Sequence, residues 1–456
     1  MDTAKSTELF EHAPIPKAVF HLAVPAIIGQ TITIIYNLAD TFFVGKLNDN
    51  NQVAAVTLCM PIFLALTALS SMIGVGGGSL LSQRLGARDN RGAGIVSGLS
   101  FWAGVIISAL FSLIVFSLRS PLLDFVGADD NTKGYCMQYL TWTVCIGGIV
   151  TTMNPVMGYL VRGEGNSAQA SIGVALGGVL NMLLDPLFIF GFRLGVEGAA
   201  IATCLSNIAA VLYFLLFIRG QNRKSHTVIL LKPQQEMWDL RLLREIFVIG
   251  LPSFFLAIMS TISNIAATKL MSTYGSAALA AIGVSKKVNS TAFSITQGLG
   301  QGVLPLVAYN HSSGNEERMR NSIFFALGIG AAFSLVCVTV FKLMPATIIS
   351  LFLSDPEAVS LGASFLNIIC FAIPTTTLIS LSITAFQGVG EKRQPYVISL
   401  LRKGTIDVLM MVILTTRTSL GMYGVVWATP IAETCTVLTA LTLLARYFVK
   451  TKPANT

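Results

Sequence analysis

LGVEGAAIAT (residues 194–203) and LGMYGVVWAT (residues 420–429) are one motif written twice, sharing Leu, Gly, Gly, Ala and Thr at an offset of 226. The same interval recurs along the chain. Pro25 and Asn37 match Pro252 and Asn264 at 227, Gly76 matches Gly302 at 226, and Gly163 and Gly165 match Gly388 and Gly390 at 225. Independent coincidences do not hold so constant a spacing, so the 456 residues are two copies of one unit.

The solvent of each unit is lipid. Hydrophobic residues make up 53% of the chain, charged ones 11%, and the mean hydropathy is +0.71, whereas about a quarter of a soluble domain is charged. Apolar runs such as 53–81, 101–118 and 199–218 are long enough to cross a hydrocarbon core of about 30 Å as helices. Lipid offers no partner to backbone N–H and C=O, so such runs are helical and the fold is all-α. Twelve spans are expected, at 16–46, 52–83, 93–118, 134–161, 166–191, 195–218, 242–273, 277–307, 320–343, 356–386, 393–416 and 420–448. This divides the chain into a tail (1–15), a six-helix bundle (16–218), a polar linker (219–241), a second six-helix bundle (242–449) and a final tail (450–456). Six spans per copy is an even number, so the repeats are parallel and a substrate path runs between them.

The net charge of +8 is a matter of topology. With a cytoplasmic N-terminus, 19 of the 30 Lys and Arg fall in the tails and alternate loops of one side and six on the other, with Lys269, Lys286, Lys287, Arg402 and Lys403 within helices or near their ends. That asymmetry places both termini in the cytoplasm of a bacterial inner membrane and argues against nucleic acid as a partner. The first sixteen residues lack the pattern of a signal peptide. Seven Cys without CxxC spacing read as packing residues rather than a disulfide or zinc framework.

Symmetry makes the exceptions informative, because scaffold residues recur and site residues need not. Asp40 corresponds to Ala267, and Asp185 roughly to Met411. An acid inside a span costs about 2.5–3.5 kcal/mol on insertion scales and usually faces a cavity or a partner. Counted from the loops, Asp40, Asp185 and Thr203 lie at a similar depth, roughly 9–12 Å from the outer ends at about 1.5 Å per residue. Asn181 precedes Asp185 by one turn on the same face. These four residues offer hard oxygens and no nitrogen or sulfur ligands, a set suited to Na⁺ or a proton. The bland alternative is that Asp185 satisfies backbone opened by Pro186 and Asp40 bonds at a helix end. Pro25 reads equally as a hinge or a static kink. Lys269, Arg402, Asp407 and Glu433 read as structural pairs across helices. The four His share no face, and no HExxH, GxSxG or Walker-type loop occurs, so neither an enzyme nor an ATP-driven pump is expected.

The run Tyr36-Asn37-Leu38-Ala39-Asp40-Thr41-Phe42-Phe43-Val44-Gly45, the Arg162-Gly163-Glu164-Gly165 turn, Asn181 with Asp185-Pro186, the 198–203 motif and Gln297-Gly298 to Pro305 together resemble the multidrug and toxic compound extrusion (MATE) family. The resemblance covers nearly the whole chain and is to the DinF/MepA-like branch. It implies a cation site in the first half at Asp40, Asn181, Asp185 and Thr203, a drug cavity near Tyr36, Asn37 and Asn154, and bending of the first helix at Pro25. The second half shows no equivalent deep carboxylate, which puts a coupling site there in doubt. The expected function is a monomeric multidrug antiporter that exchanges H⁺ or Na⁺ for lipophilic organic cations, without a cofactor. A flippase for a lipid-linked saccharide or other amphiphile is the rival. It predicts Lys269, Arg402 and Lys403 facing the cavity, where drug export predicts them at the periphery.

Overall fold

The computed structural model describes residues 8–47 and 49–450, with Trp238 as backbone alone. Of the expected tails, 1–15 and 450–456, residues 1–7 and 451–456 lie outside the described residues. Among the described residues, after a helical turn at 8–11, the helices follow one another: α1 (Ile15–Gly45), α2 (Asn50–Gly86), α3 (Asn90–Phe125), α4 (Asp130–Leu140), α5 (Gly148–Gly163), α6 (Ser167–Pro186), α7 (Gly195–Arg223), α8 (Leu240–Met271), α9 (Ser276–Ser312), α10 (Glu316–Leu343), α11 (Pro345–Ser350), α12 (Pro356–Ile369), α13 (Ala372–Gly388), α14 (Arg393–Leu400), α15 (Val408–Arg417) and α16 (Met422–Lys450). Wider π-type turns at Thr141–Ile146, Leu187–Gly191 and Leu401–Asp407 extend α4 and α6 and join α14 to α15.

Among the described residues eight helices are long and apolar enough to cross a bilayer, and two bent pairs bring the number to ten. The bends, 48° between α4 and α5 and 46° between α12 and α13, fall in the fourth and tenth spans, which are repeat partners. The polar helix α9 and the interrupted pair α14–α15 occupy the other two places of a twelve-span plan. Side-chain caps start the helices: Asp49, Asp89, Asp239 and Asn315 each accept a first-turn N–H, and Asp129 forms a reciprocal capping box with Thr132. Helix α7 runs through Arg223, five residues into the interval expected as linker. A polar sequence at the water boundary continues a helix as readily as it ends one.

The repeat is visible in the backbone. Gly195 and Gly421 begin their motifs at φ +58° and +53°, a left-handed conformation that costs glycine little. The halves also cross reciprocally. Gly76 on α2 lies so close to the Ile246 carbonyl of α8 that no Cβ would fit, and its partner Gly302 on α9 lies as close to the Ala23 backbone of α1. Consequently α1 begins in a core made with the second half, through Ala18, Val19 and Leu22, while α8 begins in a core of the first half through Ile246 and Ile249. Their far ends return to their own halves, Val44 to the first and Ala267 and Met271 to the second. The halves are therefore interlocked at the face holding the chain ends and part toward the opposite face.

Candidate functional site

Between the parted ends each half carries a polar cavity. The first, about 430 Å³, is lined by Tyr36, Asn37 and Asp40 from α1, Asn154 from α5, Asn181 from α6 and Thr203 from α7. Gly178 makes room for the Tyr36 ring, since a Cβ there would sit 2.7 Å from Tyr36 Cδ1. Asp185 lies behind this wall with 0% exposure. Asn181 Nδ2 donates to Asp185 Oδ1 at 3.2 Å and to Thr203 Oγ1 at 3.4 Å. Asp185 Oδ2 has no partner among the described residues, the condition of an acceptor left for a proton or cation.

The network continues inward. Asn207 Nδ2 donates to the Thr203 carbonyl at 2.9 Å, and Asn154 Nδ2 donates to Asn207 Oδ1 at 2.9 Å. Asn154, whose motif context in the sequence is weak, is thus tied to the same chain of polar groups. Asp40 is half-buried and lines the same cavity together with Tyr139. Five of the sequence-predicted positions therefore share one cavity with Asn37, and Asp185 stands one side chain behind it. Pro25 lies inside an unbroken α1, closer to the interlocked face. Asn207 and Tyr139 went unrecognised in the sequence, although Asn207 sits one turn after Thr203 on the same helix face and could have been found by that spacing.

A donor set of carboxylate, amide and hydroxyl oxygens fits H⁺ or Na⁺. As oriented, Asn181 presents its NH₂ to Asp185; turning the amide over would present its oxygen to a cation instead.

The second cavity, about 580 Å³, includes Ser263, Asn264, Lys286, Lys287, Arg402 and Lys403. Here the sequence reading needs correction. Asp407 stands 226 residues after Asn181, and Thr429 stands 226 after Thr203, so the second half does hold a deep carboxylate. Asp407 is 1% exposed and accepts from Ser263 Oγ at 2.5 Å and Thr429 Oγ1 at 3.0 Å. Unlike Asp185, both its oxygens are occupied. Arg402 and Glu433 form a buried ion pair at 3.0 Å, joined by Lys403 at 3.1 Å, the structural pairing expected of them. Lys269 is exposed and lines neither cavity.

Beneath both cavities the interlocked face is closed by polar links. Arg162 Nη1 donates to Gln301 Oε1 at 3.0 Å, Ser79 Oγ to the Gln387 carbonyl at 2.7 Å, and Gln83 Nε2 to the Gly388 carbonyl at 2.8 Å. Glu164, in the turn after α5, holds the segment after α7: its carboxylate accepts from Thr227 Oγ1 at 2.7 Å and from the Val228 N–H at 2.6 Å. Burial pushes the Glu164 carboxyl up to about 7, against the opposing pull of those bonds.

Two parallel helical repeats, interlocked at one face and enclosing polar cavities that open toward the other, define a polytopic membrane transporter with its substrate path between the halves. Within that class the chain belongs to the MatE family, whose model matches residues 25–187 and again 252–413, once in each repeat. It is 30% identical over 433 residues to the multidrug export protein MepA of Staphylococcus haemolyticus, covering 95% of this chain and 94% of that one. A crystal structure of MATE in the straight conformation superposes at a TM-score of 0.90 with 25% identity, and one in the bent conformation at 0.88 with 25% identity, each covering 98% of both chains.

Proposed function

We propose that this chain is a secondary active multidrug efflux antiporter of the bacterial cytoplasmic membrane, with both termini inside. It acts as a monomer without a cofactor, exchanging entering H⁺ or Na⁺ for lipophilic, mostly cationic compounds. The observation that carries this reading is Asp185: fully buried, one oxygen held by Asn181 and the other without a partner among the described residues, behind a cavity that Asp40 lines. With the chain ends inside, the closed interlocked face is cytoplasmic and the cavities face outward. An ion that neutralises Asp185 and Asp40 weakens the hold on a cationic drug and favours its release. Drug binding in turn expels the ion, since the coupling between two ligands is reciprocal. Kinship with multidrug exporters supports the substrate class.

Ethidium efflux from proteoliposomes under an imposed pH or Na⁺ gradient tests this reading. Wild type should respond to one of the gradients, and Asp40→Asn and Asp185→Asn should each remove the response. Folded wild type that ignores both gradients would refute it. One observation favours the flippase reading: Arg402 and Lys403 face a cavity. Both are engaged by Glu433, which leaves drug export the better-supported function.

A further inference from the structure

Residues 8–13, ahead of α1, are built into the joint between the halves. Phe10 is 1% exposed and stacks on Tyr309 of α9 with 4.8 Å between ring centroids. Arg318 of α10 holds the backbone of the segment: its Nε donates to the Phe10 carbonyl at 2.6 Å, and its Nη2 to those of Ala13 at 2.6 Å and Leu9 at 3.1 Å. Asn310 Nδ2 adds a bond to the Phe10 carbonyl at 3.2 Å. Tyr309, Asn310 and Arg318 all belong to the second half, so the segment that leads into the first half is anchored on the other one.

Glu11 turns that anchor into a bridge. Its side chain is 17% exposed, and its Oε1 accepts from Tyr309 Oη at 2.7 Å and from Arg88 Nη2 at 3.4 Å. Arg88 lies in the turn between α2 and α3, in the first half. The other carboxylate oxygen stands 3.6 Å from His12 Nε2. Arg88 holds φ +60°, and its repeat partner 226 residues on is Gly314 at φ +77°. Glycine takes that left-handed conformation freely and arginine does not. Arginine at this turn therefore gives up backbone ease, and what it gains is a guanidinium at Glu11.

The segment ahead of α8 is the counterpart and shows the difference. Met237, 227 residues after Phe10, is just as buried, packed against Gly98 of the opposite half. Its neighbours bond to Ser97, Trp102 and Glu164, all in the first half, so that strap lies on one body. The N-terminal strap touches both. Beside Glu11 the joint is a polar cleft of about 490 Å³ between Gly86, Ala87 and Arg88 on one side and Ser312, Ser313 and Asn315 on the other. A joint of this kind parts without exposing much apolar surface, so polar contacts across it weigh heavily in whether it stays shut.

We propose that residues 8–13 are a latch on the interlocked face. Phe10 and Arg318 fix it to the second half, the Glu11 to Arg88 contact holds the first half against it, and the face parts for inward opening when that contact breaks. This rests on the transport reading above, in which the halves separate here.

The probe is a thiol placed at Ser79, which is 0% exposed and donates to the Gln387 carbonyl of the other half, so that Ser79→Cys reacts with a maleimide when the face parts. Labelling of the full detergent-solubilised protein is followed site by site by mass spectrometry. Cys59, buried in the first half toward the opposite face, reports unfolding in the same sample. Glu11→Gln and Arg88→Gly, each added to Ser79→Cys, should raise labelling at position 79 by about threefold or more, with Cys59 unmoved. The two together should do no more than either alone, since they break one contact. Arg88→Gly decides between side chain and backbone: glycine suits the left-handed turn, so a purely structural role would leave the face as closed as before. Unchanged labelling in either variant, or effects that multiply in the double one, would overturn the latch. Position 79 unreactive in every background while ethidium efflux proceeds would also overturn it and leave the transport reading standing. Coupled opening in a protein that moves no ethidium under either gradient would sink the transport reading and spare the latch.

Discussion

Replacing Glu433 by Gln separates scaffold from site, because its surroundings allow the cost to be worked out. Glu433 is 0% and Arg402 1% exposed. The carboxylate accepts from Arg402 Nε at 3.1 and 3.0 Å through its two oxygens, and from Lys403 Nζ at 3.1 Å. Without that charge the guanidinium keeps only Ser380 Oγ at 3.3 Å and the face of Phe293. Removing one partner of a buried pair costs about 3–5 kcal/mol, because the other charge stays buried and unanswered. Gln retains one oxygen for Arg402 and should fall at the lower end of that range, with Ala at the upper. Removing both charges as Arg402→Met/Glu433→Met should recover most of the loss, since apolar replacement of a whole buried pair is often neutral or stabilising. Thermal unfolding in detergent measures all three variants against wild type. Glu433→Gln as stable as wild type, or a double variant no better than the single one, would refute the reasoning.

Two further outcomes follow from the interlocked face. The carboxyl of Glu164 rises from its ordinary 4.5 to about 7 on folding. The stability this lends, at most about 3 kcal/mol, is therefore complete below pH 4.5 and is lost as pH climbs through 7; Glu164→Gln should flatten the fall in unfolding temperature between pH 5 and 8, and an unchanged slope would remove Glu164 as its cause. Gly302→Val should push α9 from the Ala23 backbone and destabilise the protein by about 1–3 kcal/mol or more, whereas valine at the open Gly283 should be far milder in the same unfolding assay.

The fold is legible in the sequence because lipid leaves few choices: long apolar runs are helices, and the constant offset makes them two copies. Bends are another matter. Hydropathy measures whether a run is apolar and is blind to direction, so the turns near Gly147 and Phe371 left the fourth and tenth spans reading as straight. Depth, counted along each helix from its loop, was enough to group Asp40, Asn181, Asp185 and Thr203. Asp407 was read only as a structural pairing residue because acids were compared only with acids; its partner in the other half is the neutral Asn181, and a carboxylate matching an amide at the repeat offset was the available signal. The rotation of α9 cannot be read from a helix whose polar residues fall on several sides, so Lys286 and Lys287 passed as residues within a helix or near its end when they line a cavity.

The central claim is that a drug cation and the coupling ion compete for the same carboxylates, and ethidium affinity tests it most directly. It should be measured on the detergent-solubilised protein across pH without Na⁺, and across Na⁺ concentration at pH 8. Linkage predicts that affinity falls as one of the two ions rises, by up to about tenfold per tenfold increase in the ion for each ion displaced, and that Asp185→Asn weakens this dependence while binding persists. Affinity flat against both ions in a wild type that binds ethidium would contradict the account.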